Sequence, residues 1–199
     1  MTEFTIMWHD SNSSFAAPSV RADDLPAGAQ HWRGIRDRTA ALWLVQKPVD
    51  GSTRQALIDR SGFASEHIRQ LEIIREWGGV FGKMLPLANY VLREMQPDSI
   101  NSFLPLLDKQ MALVVTRPGC LGSVLAADKS APHHLLGITY WEAERSFVQY
   151  MGWFSKQHWK FTVDPLTLGV PLRQFMRRTD ASAQMTDEGR EQTDATNEL

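Results

Sequence analysis

Five side chains in the second half of this 199-residue chain have the chemistry to meet a small molecule: the Asn89 amide, the Tyr150 phenol, the His158 imidazole and the indoles of Trp141 and Trp153. An amide and a phenol can hold an anionic oxygen, an imidazole can move a proton or ligate a metal, and indoles wall an apolar ring. Each also has a plainer reading. Trp141 stands where a strand becomes a helix, where a large aromatic plugs the sheet end. Tyr150 and Met151 keep helical spacing and suit a core, with the hydroxyl as a polar handle. Asn89 is disfavoured inside a strand, so it marks either an edge or a site. His158 lies in the amphipathic, partly basic run Lys156-Gln-His-Trp-Lys160, which suits an exposed surface.

Other chemistries find less support. The single cysteine, Cys120, excludes an intrachain disulfide and any multi-cysteine metal site, and nothing near it in sequence would lower its pKa. The pair His133-His134 follows Pro132 at a hairpin end. Neighbours on a strand point to opposite faces, so these two rings are not expected to chelate one ion, and no metal site is expected. No zincin spacing, phosphate-cradling glycine loop or nucleophile elbow is present.

Composition narrows the class. With 43% hydrophobic residues the chain can build one generous domain. Lys and Arg total 21 against 23 Asp and Glu, a net charge of −2, which leaves no excess positive field for nucleic acid. No leader-like amino terminus is visible, and no apolar run approaches the roughly 20 residues that span a bilayer. A cytoplasmic protein without membrane or nucleic-acid partners is the expectation.

The elements that would position the five residues come next. Residues 1–37 lack helical or strand periodicity and read as an irregular arm, and 38–86 as an extension of one strand (Thr39 to Gln46) and a helical region (Ser52 to Trp77) that Gly62 breaks in two. Within the latter, Ser52 and Thr53 are candidate caps and Ile68, Leu71, Ile74 and Trp77 share one side. Ala88 to Met95 reads as a strand. From Ile100, the residues Phe103, Leu104, Leu107, Met111 and Val114 mark an amphipathic helix that Pro118-Gly119 ends. Leu121 to Ala127 and His134 to Trp141 form a hairpin whose apolar residues occupy both faces, as in a strand covered on both sides. Phe147, Tyr150, Met151 and Phe154 continue as a second helix, and Leu172 to Arg178 make a last strand. Residues 87–178 thus read βαββαβ, the ferredoxin-like split βαβ pattern. The polar segment 179–199 reads as a disordered tail.

Arg117-Pro-Gly-Cys-Leu-Gly-Ser-Val-Leu and Leu135-Leu-Gly-Ile-Thr-Tyr-Trp-Glu-Ala-Glu-Arg-Ser-Phe carry a resemblance over residues 87–178. This segment resembles the antibiotic-biosynthesis-monooxygenase-like members of the dimeric α+β barrel superfamily. The resemblance implies an α+β fold in which two ferredoxin-like sheets pair across a homodimer, leaving a pocket between each sheet and its helices. It also leaves open that residues 39–77 are a degenerate extra repeat, although no identity to the second half supports this.

Relatives of that kind include cofactor-independent oxygenases of anthrones or quinols and haem-degrading monooxygenases. The haem-degrading pattern has an Asn in the first strand, where this chain has Asn89. It has a Trp nine residues after the strand-end Trp, where this chain has Tyr150. It has a haem-ligating His nine residues further, where this chain has Trp159, with His158 one place earlier. The resemblance therefore implies a monooxygenase-type enzyme acting on an apolar, aromatic small molecule, with Asn89, Trp141 and Tyr150 as catalytic candidates and no cofactor or haem. His158 and Trp153 are the cofactor-binding candidates. Two other readings stand beside it: a haem- or small-ligand-binding protein with His158 as axial ligand, and a non-catalytic dimerisation module.

Overall fold

A computed structural model describes residues 2–9, 25–37, 39–61, 63–157 and 166–179. Eight strands run through it: β1 (Glu3–His9), β2 (Gln30–Gly34), β3 (Ala41–Val45), β4 (Ile68–Trp77), β5 (Leu87–Met95), β6 (Cys120–Asp128), β7 (His134–Trp141) and β8 (Thr167–Arg178). Three helices accompany them: α1 (Gly51–Ser61), α2 (Ile100–Val114) and α3 (Glu144–Phe154). The strands close into one barrel in the order β1-β3-β2-β8-β5-β7-β6-β4.

That order contains the same motif twice. Counted within each half, strands run fourth, first, third, second: β4-β1-β3-β2 and β8-β5-β7-β6. The second half is the βαββαβ unit expected over 87–178, in an α+β fold. The first half is its counterpart, and antiparallel seams β2 to β8 and β4 to β6 join the two. Two expectations are corrected here. The strands β1 and β2 lie where an irregular arm is expected, and the second sheet of the barrel comes from the same chain rather than from a partner copy. The tail 180–199 lies outside the described residues.

The supposed helix Ser52 to Trp77 is α1 followed by β4, a difference with a clear physical cause. In a strand, residues three apart face opposite ways. Ile68 packs on the α1 layer, Leu71 turns into the barrel, and Ile74 and Trp77 pack on the layer of α2 and α3. A register shift between Ile73 and Arg75 re-phases the strand between these layers. One strand serving three layers thus imitates helical spacing. At the start of α1 the cap is Asp50, whose Oδ1 accepts from Thr53 N at 2.7 Å and from Ser52 Oγ at 2.6 Å.

Burial follows the topology. Phe4, Ile6, Trp32, Tyr90, Leu136, Ile138 and Tyr140 fill the barrel. Outside it, Phe103, Leu107, Met111 and Val114 of α2 and Phe147 of α3 cover the second sheet, with Leu87, Leu135 and Trp141 beneath them. Met7, Trp43, Val45, Leu57 and Phe63 fill the corresponding space against the first sheet. Strands β6 and β7 therefore carry apolar residues on both faces, which explains their lack of alternation.

The Arg117-to-Gly122 turn fixes α3 on the sheet. Gly119 has φ +76°, and a Cβ there would lie 2.2 Å from Ser146 Oγ. Its carbonyl accepts from Glu142 N at 2.8 Å, beside the Cys120 and Trp141 pair that starts the β6–β7 ladder. Gly119→Ala is expected to cost about 1–3 kcal/mol from the left-handed backbone, before any displacement of α3. Urea unfolding checks this, and a midpoint equal to that of the native sequence contradicts it.

Candidate functional site

The outer face of the second sheet is organised in rows across the strands. One row runs Ser123–Thr139–Asn89–Phe175, and the next Leu125–Gly137–Val91–Arg173. Ser123 Oγ donates to Ile138 O at 2.8 Å and lies 3.4 Å from Thr139 Oγ1. Gly137 has no side chain, and a Cβ built on it would meet nothing closer than Val91 O at 3.9 Å. The missing side chain leaves a hollow in the sheet.

Helices α2 and α3 roof this hollow. Leu107 and Met111 of α2 and Phe154 of α3 bring apolar surface, while Gln110 and Tyr150 bring polar atoms. Gln110 is buried on the otherwise apolar face of α2, and its side chain hydrogen-bonds the Tyr150 phenol. Arg93 of β5 and Arg173 of β8 complete the polar set around a cavity of about 50 Å³. Arg173 is exposed and marks its solvent side.

Asn89 and Tyr150, brought from a strand and a helix, thus line one cavity. Trp141 does not reach it. Its ring is fully buried, 4.9 Å from Tyr150 and 5.7 Å from Phe147 between centroids, which is the corner role. Trp153 is half-buried outside the lining, under the Arg117 guanidinium at 4.1 Å and 6.0 Å from Tyr150. His158 lies outside the described residues.

Sequence reasoning missed Gln110, Gly137, Arg93 and Arg173. A polar residue within an amphipathic stripe was the one available signal for Gln110. The others become legible only when the strand register is known. Two remaining candidates also resolve. Burial pushes the Cys120 thiol up, as suits a packed side chain rather than a nucleophile. The His133 and His134 rings, expected to diverge, meet edge to face at 4.4 Å, because His133 belongs to the turn and not to the ladder.

Burial drives the Tyr150 phenol up to about 12, while Arg173, Arg93 and the Gln110 hydrogen bond pull the other way. Tyr150 is consequently a donor at neutral pH and not a base. An unfolded tyrosine ionises near 10, so the folded state favours the neutral form. The associated stability is complete below about pH 10 and is lost as pH rises towards about 12. Tyr150→Phe is expected to flatten the decline of the urea midpoint over that window, and an unchanged slope contradicts the assignment. Trp141→Ala is expected to cost about 3–5 kcal/mol, measured by the same unfolding experiment.

Among the described lining residues there is no histidine to ligate haem iron. The described residues do not fit haem in this cavity.

On the corresponding face of the first half the described core side chains pack together, beside a cavity of about 460 Å³ where Val49, Arg54, Ile68 and Gln70 meet. Its cross-strand row His31–Trp43–Met7–Ile68 is mostly apolar, and Trp43 packs edge to face on Phe63 at 5.1 Å. The polar Thr5 and Gln70 are committed to backbone: Thr5 Oγ1 donates to Lys47 O and accepts from Val49 N, and the Gln70 amide donates to Val49 O.

No protein-family model matches the sequence, and no curated protein matches it. Solved structures do. An anthrone oxidase-like protein aligns with TM-score 0.63 at 10% identity, over 89% of this chain and 90% of that one. A ferredoxin-fold protein related to antibiotic biosynthesis monooxygenases, from Listeria monocytogenes, aligns with TM-score 0.58 at 9% identity, over 90% and 96%. A heme-degrading enzyme from the same organism aligns with TM-score 0.55 at 11% identity, over 89% and 99%. Each alignment spans both halves of this chain. No described helix is long and apolar enough to cross a membrane. The chain shares the ferredoxin-like barrel fold of these structures, with both halves of the barrel in one polypeptide.

Proposed function

We propose that this protein is a monooxygenase-type enzyme that oxidises an apolar, aromatic small molecule in the cavity between the second sheet and helices α2 and α3. The observation that carries the reading is the convergence of Asn89, Thr139, Gln110, Tyr150, Arg93 and Arg173 on one hollow of the second half, whereas the described side chains Trp43, Leu57 and Phe63 pack together on the matching face of the first half. Polar groups held in a covered site serve recognition or charge stabilisation.

The substrate class that suits these groups is a phenolic ring ketone with an acidic methylene, such as an anthrone. Loss of one methylene proton to solvent gives an enolate. The Arg93 and Arg173 guanidinium groups and the Tyr150 and Asn89 donors stabilise its oxygen. The electron-rich carbon then reacts with dioxygen. One oxygen atom becomes the new ketone and the other leaves as water with the two methylene hydrogens. Trp141 acts as a positioning residue that holds Tyr150 over the sheet. Small-molecule sites commonly occupy about 300–1,000 Å³, so a tricyclic substrate enters with an outward shift of the last turn of α3, which carries Tyr150 and Phe154.

Oxygen uptake with anthrone tests this. The expected result is one dioxygen consumed per quinone formed, with turnover falling about 100-fold in Asn89→Ala and in Tyr150→Phe. Gly137→Val fills the hollow in a strand that favours β-branched residues. It is expected to abolish substrate binding while leaving the unfolding midpoint close to that of the native sequence. Absence of uptake in the native protein, or full turnover in Gly137→Val, overturns the proposal.

A further inference from the structure

A second cluster of reactive groups lies at the end of the barrel where β5 finishes and β7 begins. Glu94 faces His134 across the β5–β7 ladder, with His134 Nε2 3.7 Å from Glu94 Oε1. His133 is held by its backbone. Its carbonyl accepts from Met95 N at 2.8 Å, while the next amide, His134 N, donates to Ala131 O at 2.8 Å. That turn swings its ring onto the His134 ring. One ligand atom from each of Glu94, His133 and His134 lies within 4.8 Å of the other two.

From this placement we propose that Glu94, His133 and His134 bind a divalent ion of the zinc class. Two imidazoles and a carboxylate are the donor set such ions take, with a fourth position for water. A cavity of about 250 Å³, lined also by Trp8, Leu92, Leu168 and Leu172, adjoins Glu94 and His134.

Arg69 competes with the ion. Its Nη1 is hydrogen-bonded to His134 Nδ1 and lies 3.6 Å from Asp128 Oδ2. A neutral ring that accepts at Nδ1 carries its proton on Nε2, the atom that faces Glu94. Metal at Nε2 needs that proton on Nδ1, so Arg69 must give up the ring and settle on Asp128. Removing Arg69 takes away both a rival donor and a like charge.

Calorimetric titration of Zn²⁺ into the full-length chain without an affinity tag tests the site. The expected result is one equivalent bound, at least about tenfold weaker in His133→Ala, His134→Ala and Glu94→Gln, and about tenfold tighter in Arg69→Gln. Co²⁺ added to the native protein is expected to give visible bands of nitrogen and oxygen ligation, a readout independent of whether any variant folds. No stoichiometric binding by the native chain overturns the proposal. So does equal binding by a folded His133→Ala/His134→Ala variant.

Discussion

Barrel closure depends on two antiparallel seams between unequal halves. The β4–β6 seam is long and carries the bulge at Ile73/Arg75, while the β2–β8 seam is short, pairing Trp32, Arg33 and Gly34 with Arg178, Arg177 and Met176. Closing a sheet on itself leaves it no edges and makes one face of every strand interior. The helices then cover the outer faces. The second sheet, covered on both sides, sets Asn89, Thr139 and Arg173 in adjacent rows beneath Gln110 and Tyr150 of the helices.

Both halves sit in one polypeptide, and this has a functional consequence. A barrel made from two identical chains would carry the same pocket twice. Here the halves have diverged: Trp43, Phe63 and Leu57 close one space, while Gly137 and the polar row open the other. The first half packs against the second through the barrel interior. It supplies the inner wall on which Tyr90, Ile138 and Tyr140 pack, and Trp77, from its last strand, reaches round to line the cavity.

The second half was legible in sequence because its elements follow simple rules. An amphipathic stripe marks α2, the Pro118-Gly119 turn ends it, and Trp141 signals the strand-to-helix corner. The first half was not. Strand β4 mixes three packing layers, and β1 and β2 flank a stretch of polar, irregular composition. Their identity as strands comes from long-range pairing with β3, β4 and β8, which local pattern does not encode. The site was legible in part for the same reason. Asn89 and Tyr150 stand out by residue type, whereas Gly137 and Arg173 acquire meaning only through the register that sets them side by side.

Hydrogen–deuterium exchange with and without a bound hydroxylated anthrone tests the central claim, a single ligand site in the second half. The account predicts added protection in β5 around Asn89, in β7 around Gly137 and Thr139, and in α3 around Tyr150, with α1 and β3 unchanged. Protection centred on Trp43 to Phe63, or spread equally over both halves, would contradict it.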